Sequence, residues 1–311
     1  MLTVSALISC VLAGPAWDEN SKHIAAPYAV AHDTPLEAEE EAVAETEDYT
    51  QWRVVFNGIR GDRVPGFLYV PKGEARTHPA VLLQYGSGGN KKTNYIVALG
   101  QRFVARGFVV LTIDAPQKGE RKSKDSKSVD WLFSLEGRDQ FLQYCGDYSR
   151  AVDYLTTRPD VDPKRIGYVG ISWGAITGVT YVAHDDRIQA MASIVGGGGF
   201  LGLAGSLAGR SDDRPAASKV PIDPVHHVGS IAPRPLLMLN VTKDQLVPRP
   251  FAEALHRAAG KGSKVVWIET DHLFRGVDLQ DLSDIVIDFL KQNMEAPRSA
   301  DHPGMGSEAN G

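Results

Sequence analysis

Val161-Asp162-Pro163-Lys164-Arg165-Ile166-Gly167-Tyr168-Val169-Gly170-Ile171-Ser172-Trp173-Gly174-Ala175 is the stretch that decides the fold. A short run with an apolar bias, Ile166 to Ile171, enters a Gly-x-Ser-x-Gly, and a helix-compatible run, Ala175 to Ala183, leaves it. The spacing predicts a strand, a sharp turn and a helix, with Ser172 at the apex. Such a turn holds the serine backbone in an unfavourable conformation, so that its hydroxyl stands clear of the sheet. A Cβ at Gly170 or Gly174 would crowd the strand or the helix that the turn brings together. Alone, a Gly-x-Ser-x-Gly is a modest signal; the bland reading is a glycine-rich βα loop with a capping serine.

The flanking chain supplies the context. Gln51 to Asn57 and Val64 to Val70 read as an antiparallel hairpin around Gly58-Ile59-Arg60-Gly61-Asp62. Ala80 to Gln84 and Phe108 to Ile113 are short apolar runs suited to buried parallel strands, with a helix from about Asn94 to Arg106 between them, capped by Gly107. Arg138 to Thr157 has helical periodicity. Past Ser172, strands are expected at Gln189 to Val195, Leu236 to Val241 and Lys264 to Ile268. A loop and helix occupy Pro248 to Gly260, and Leu282 to Gln292 is a closing helix that starts near Leu279. Strands alternating with helices imply an α/β fold: a mostly parallel central sheet, helices on both faces and an N-terminal antiparallel hairpin. Right-handed crossovers then gather the βα loops at one edge.

Composition bounds the rest. The chain has 311 residues, enough for one large α/β domain or two small ones, and a formal net charge of −5 with no basic stripe, so nucleic acid is not an expected partner. No apolar run is long enough to span a membrane. Leu2 to Ala13 is mostly apolar and precedes Gly14-Pro15-Ala16, so residues 1–16 resemble a signal peptide lacking its positive n-region. That predicts a secreted or periplasmic protein; if the segment is something else, a cytoplasmic one. Leu7-Ile8-Ser9-Cys10 also looks loosely like a lipoprotein processing site. Residues 17–48 read as an acidic linker or arm, 49–293 as the catalytic domain with a small lid at about 197–230, and 294–311 as a flexible tail. The basic excursion 117–137 reads as a solvated loop.

Chemistry is expected at the loop edge. A serine hydroxyl needs a base beside it. His272, just past the last strand, can take a proton and return it. Asp244, just past the preceding strand, can hold that imidazole's tautomer. The order Ser, Asp, His is the one that Gly-x-Ser-x-Gly hydrolases use. Asp271 is a rival carboxylate, but sequence neighbours seldom face each other in an extended loop. Asp114 reads as fixing its own loop, and His184, His226 and His227 as packed or solvated. A His226–His227 metal pair lacks further ligand spacing. Oxyanion donors are expected from the backbone N–H of Trp173 and from Tyr85-Gly86-Ser87-Gly88-Gly89, with Ser87 first and Gly86 or Tyr85 next. Tyr85, Gly86, Trp131, Phe133, Phe200, Leu201, Leu246 and Phe274 are candidates for substrate contact or pocket walls.

These motifs resemble those of the α/β-hydrolase superfamily, in its dienelactone-hydrolase-like and acetyl-xylan-esterase-like branch. The resemblance runs from about Tyr49 to Asn293. It rests on the Tyr85 loop, Asp114-Ala115-Pro116, Gly170 to Gly174, Ile231-Ala232-Pro233-Arg234-Pro235, Asp244 to Pro248 and Asp271-His272. Tyr85 departs from the pattern, since relatives often carry His there. Ser172 departs from the dienelactone hydrolases proper, which use cysteine, and this argues against their substrate. The resemblance implies a carboxylic ester substrate, acetyl esters included, and no cofactor. Alternatives are a peptidase or amidase on the same fold, and a non-catalytic binding module.

Overall fold

The computed structural model describes residues 26–124, 135–200 and 222–294. One nine-stranded sheet runs through it in the order β1-β2-β3-β5-β4-β6-β7-β8-β9. The strands are β1 (Glu39–Glu45), β2 (Tyr49–Asn57), β3 (Arg63–Pro71), β4 (His78–Gln84), β5 (Val109–Ile113), β6 (Val161–Ile171), β7 (Ile188–Ile194), β8 (Leu236–Val241) and β9 (Ser263–Ile268). β1 to β3 pair antiparallel, as does β3 with β5, and every pair from β5 onward through β4 to β9 is parallel. The fully buried runs of β5 and β8 and the near-continuous burial of β4 follow from helices covering both faces.

The helices are α1 (Asn94–Ala105), α2 (Leu135–Thr157), α3 (Trp173–Val182), α4 (Arg249–Ala258) and α5 (Leu279–Met294). Side-chain alternation along β6 assigns their layers. Tyr168 meets Tyr148 of α2 and Tyr181 of α3, with ring centroids 5.7 and 5.8 Å apart. Its neighbour Gly167 points the other way, against Leu290 and Met294 of α5. α1 shares the α5 side: its Gly100 lies on the Tyr69 ring, and Arg106 pairs with Asp284. α1 ends as its sequence requires, with Gly107 at φ 87° and its N–H donating to Val104 O at 2.9 Å.

Beneath α3 lies a tyrosine core whose polar tips are all bonded. Tyr168 Oη donates to Gly174 O at 2.7 Å, Tyr181 Oη to Asp185 Oδ2 at 2.9 Å, and Tyr148 Oη is 3.3 Å from Thr177 Oγ1. Arg234 closes the C-terminal end of α3, donating to the carbonyls of Val182 (2.8 Å) and Asp185 (2.7 Å). Space here is fully used. A Cβ on Gly178 would lie 2.1 Å from the Tyr168 ring, which Tyr148 and Tyr181 wall in. Gly178→Ala is therefore expected to destabilise the protein. The helix-propensity gain of about 1 kcal/mol is outweighed by displacement of a walled-in ring, for a net loss of roughly 1–2 kcal/mol. A urea midpoint equal to or above that of wild type would refute this.

The stretch 17–48 is more ordered than a linker wherever it is described. Glu39–Glu45 adds an edge strand, β1, with every side chain exposed. Its backbone pairs with β2, while Glu39, Glu40 and Glu45 reach Arg63, Arg158 and Lys72. An acidic strand is tolerated because it sits at the edge, where neither face is buried. Upstream, Tyr28 stacks on His184 with centroids 4.3 Å apart. The buried Arg150 donates to Thr34 O at 2.5 Å, and His32 Nδ1 lies 2.8 Å from Asp153. The domain thus begins before Tyr49, and its last helix ends at Met294. Residues 1–16 and 295–311 lie outside the described residues, as does 201–221, most of the stretch expected to form a lid.

Candidate active site

The turn after β6 carries the local strain that its sequence predicts. Ser172 has φ 53° and ψ −111°, in a region that costs a non-glycine residue about 1–3 kcal/mol. The surroundings hold it there. Ser172 N–H donates to Ile194 O at 2.8 Å, and Gly174 N–H to Tyr85 O at 3.0 Å. Tyr168 Oη holds the carbonyl of Gly174 from below. Both glycines are required by close approach. A Cβ on Gly170 would stand 2.2 Å from Gly174 O, and one on Gly174 would stand 2.7 Å from Gln84 O.

β9 ends at Ile268 and delivers His272; β8 ends at Val241 and delivers Asp244. His272 Nε2 lies 3.0 Å from Ser172 Oγ, and His272 Nδ1 lies 2.9 and 2.8 Å from Asp244 Oδ1 and Oδ2. The histidine side chain is 10% exposed and the aspartate side chain 2%. Asp244 Oδ1 also accepts the N–H groups of Leu246 (2.9 Å) and Val247 (2.8 Å). Its orientation is therefore set by its own loop. With the carboxylate facing Nδ1, the network assigns the imidazole proton to Nδ1 and leaves the Nε2 lone pair for the serine hydroxyl.

The rival groups are occupied elsewhere. Asp271 accepts the N–H groups of Leu273 (3.1 Å) and Arg275 (3.2 Å) and pairs with the Arg275 guanidinium at 2.8 Å. The Arg275 N–H, first among these contacts, holds its carboxyl below the usual aspartate range. Asp114 does fix its loop. It accepts the N–H groups of Lys91 (3.1 Å) and Glu120 (2.9 Å) and pairs with the buried Lys91 ammonium, which also meets Glu120 at 2.7 Å. His184 Nε2 faces His227 Nδ1 at 2.9 Å beyond the C-terminal end of α3. A helix of 10 residues, about 15 Å long, separates that pair from Ser172.

The expected oxyanion loop reaches the serine, though not all of its parts face it. Gly86 abuts the nucleophile: a Cβ on it would lie 3.3 Å from Ser172 Cβ. Its N–H is committed to Tyr95 Oη at 2.9 Å, which removes Gly86 as an oxyanion donor. Ser87, the next residue, is exposed at the turn closed by Gly89 N–H to Gly86 O (2.9 Å). Trp173 is the first residue of α3, with its indole edge-on to Phe141 and Tyr144.

Tyr85 is a correction to the expected substrate contacts. Its side chain is 3% exposed, and its hydroxyl accepts Ala115 N–H at 2.7 Å, so the ring supports the loop from beneath. The chain alternates at the end of β4, and residue 85 faces inward. Leu246 is 70% exposed beside Asp244. Phe274 is half-buried at φ 56° and packs on the core, and Phe200 stacks on Phe251 with centroids 4.8 Å apart. Trp131, Phe133 and Leu201 lie outside the described residues. Sequence reasoning did not find Tyr95 or Lys91. Neither belongs to a motif, and only the folded chain brings a helix phenol to Gly86 or a buried ammonium to Asp114.

The Dienelactone hydrolase family profile matches residues 64–274. Among curated proteins, YtaP of Bacillus subtilis (strain 168) is 26% identical over 171 residues, covering 51% of this chain and 57% of that one. The chain thus spans little more than half the length of that relative. Solved structures that share the fold include the following two. Acetyl xylan esterase 1 from Thermoanaerobacterium sp. JW/SL YS485 has a TM-score of 0.72 at 17% identity, covering 94% of this chain and 99% of that one. A cold-adapted esterase from an Arctic intertidal metagenomic library has a TM-score of 0.63 at 21% identity, covering 84% and 99%.

Proposed function

Because the chain belongs to the dienelactone hydrolase family, we propose that it is a serine carboxylesterase working through an acyl-enzyme on Ser172. The observation that carries the reading is the unbroken contact from Ser172 Oγ to His272 Nε2 (3.0 Å) and from His272 Nδ1 to Asp244 (2.8 Å). Each step then has a named group. Ser172 Oγ attacks the ester carbonyl carbon while its proton passes to His272 Nε2. Asp244 stabilises the imidazolium that forms. The carbonyl oxygen becomes an oxyanion, which the N–H groups of Ser87 and Trp173 receive. Collapse of the tetrahedral intermediate breaks the bond to the alcohol oxygen, and the alcohol leaves with the proton from His272. Water next gives a proton to His272 Nε2 and adds to the acyl carbon; collapse returns Ser172 and releases the carboxylic acid.

Serine, rather than cysteine, as the attacking atom favours ordinary esters, acetyl esters among them, over the dienelactone that names the family. A fluorophosphonate probe tests the nucleophile. It should label the folded protein at one site, identified by peptide mass as Ser172, and labelling should stop p-nitrophenyl acetate hydrolysis in proportion. Labelling at another residue, or full hydrolysis by the labelled protein, would overturn the reading. An aminoacyl-naphthylamide turned over faster than the ester would assign the site to amide substrates instead.

A further inference from the structure

Tyr95 stands in the first turn of α1, and its hydroxyl accepts the Gly86 N–H at 2.9 Å. That bond uses an oxygen lone pair and leaves the phenol proton. Among the described residues no acceptor takes it. A Cβ built on Gly86 would lie 3.3 Å from Ser172 Cβ and 3.5 Å from Tyr95 Oη. Ser172 Cβ and the phenol oxygen therefore flank one glycine, no more than about 7 Å apart. The phenol thus lies beside the residue on which the acyl group forms.

We propose that Tyr95 is a catalytic residue of this site, donating its hydroxyl hydrogen bond to the substrate oxygens as negative charge develops on them. The proton is shared, not transferred, so the phenol stays neutral and the proton balance of the reaction is unchanged. Two features suit it to the role. Accepting the Gly86 N–H polarises the hydroxyl and strengthens it as a donor. Burial holds the phenol's ionisation above the ordinary tyrosine value, so the proton is kept at working pH. The same bond withdraws Gly86 N–H from the reaction. A side-chain donor thus stands in for a backbone one, on a rigid helix rather than a loop. The inference rests on Ser172 being the nucleophile.

The test is Tyr95→Phe, which keeps the ring. We expect kcat for p-nitrophenyl acetate to fall about 10- to 100-fold, the low end of the loss of an oxyanion donor, with KM nearly unchanged. Affinity for a boronic acid that forms a tetrahedral adduct on Ser172 should fall by the same factor as kcat/KM. A second variant separates donation from mere support of the loop. A ring-fluorinated tyrosine at position 95 ionises nearer neutrality, and its phenolate still accepts the Gly86 N–H but cannot donate. Its kcat should fall as pH rises through that ionisation, a step absent from wild type and from Tyr95→Phe. A Tyr95→Phe kcat within about twofold of wild type, with Ser172→Ala inactive, would overturn the inference and leave the nucleophile standing. So would a fluorotyrosine profile matching that of wild type. Ser172→Ala as active as wild type would instead overturn the reading on which the inference rests.

Discussion

Ser172→Ala should hydrolyse p-nitrophenyl acetate roughly 10⁵- to 10⁶-fold more slowly than wild type. The change is confined to chemistry. Alanine keeps the Cβ, so the strained φ of 53° and the bonds of the turn remain, and stability should not move. What is lost is the hydroxyl oxygen placed 3.0 Å from His272 Nε2, the only such nucleophile among the described residues. The residual rate comes from binding and from oxyanion donors acting on water. The measurement is single-turnover hydrolysis, with circular dichroism to verify folding. A folded variant that retains more than about a tenth of the wild-type rate would show that the nucleophile lies elsewhere.

Asp244→Asn should cost about 10⁴-fold in kcat while leaving the fold intact. The loop geometry gives the reason. The N–H groups of Leu246 and Val247, at 2.9 and 2.8 Å, require an acceptor at the Oδ1 position, so the asparagine carbonyl must sit there. Its amino group then faces His272 Nδ1 where the carboxylate Oδ2 stood at 2.8 Å. The Nδ1–H then meets a donor there and must share the carbonyl oxygen, at 2.9 Å, with two N–H groups. The tautomer protonated at Nε2 therefore gains, and Nε2 is the atom that has to accept from Ser172. The matching change Asp271→Asn should alter kcat by less than about threefold, since its carboxylate bonds Leu273 and Arg275 of its own turn. Stopped assays on both variants check the pair. If Asp271→Asn proved the more damaging, the orienting carboxylate would have been misassigned.

Much of this arrangement could be read before any coordinates. Short apolar runs such as Ala80 to Gln84 and Phe108 to Ile113 sit in the sheet because both of its faces are covered, and burial on both sides leaves a plain signature. The loops that follow the strands inherit one edge from handedness alone, which is why Ser172, Asp244 and His272 could be named as partners. β1 was illegible for the converse reason. An edge strand with both faces in solvent has no apolar alternation, and Glu39-Glu40-Glu41 reads as a charge run. Tyr85 was misjudged because adjacency to a loop glycine does not say which way a ring turns; here it turns down to Ala115. Tyr95 was invisible because a first-turn helix residue is ordinarily judged by its amphipathic register, and nothing in that register reports a bond to a neighbouring loop. Of the expected pocket walls, Trp131, Phe133 and Leu201 lie outside the described residues.

The acidic border strand also bears on how copies of this molecule can meet. A sheet normally ends in a row of unspent backbone donors and acceptors, to which a second molecule can zip. Here the last ribbon presents Glu39, Glu40, Glu41 and Glu45, so two such borders brought side by side would bring like charges together. Self-association through that margin is discouraged most strongly in dilute buffer and less so as added salt screens the repulsion.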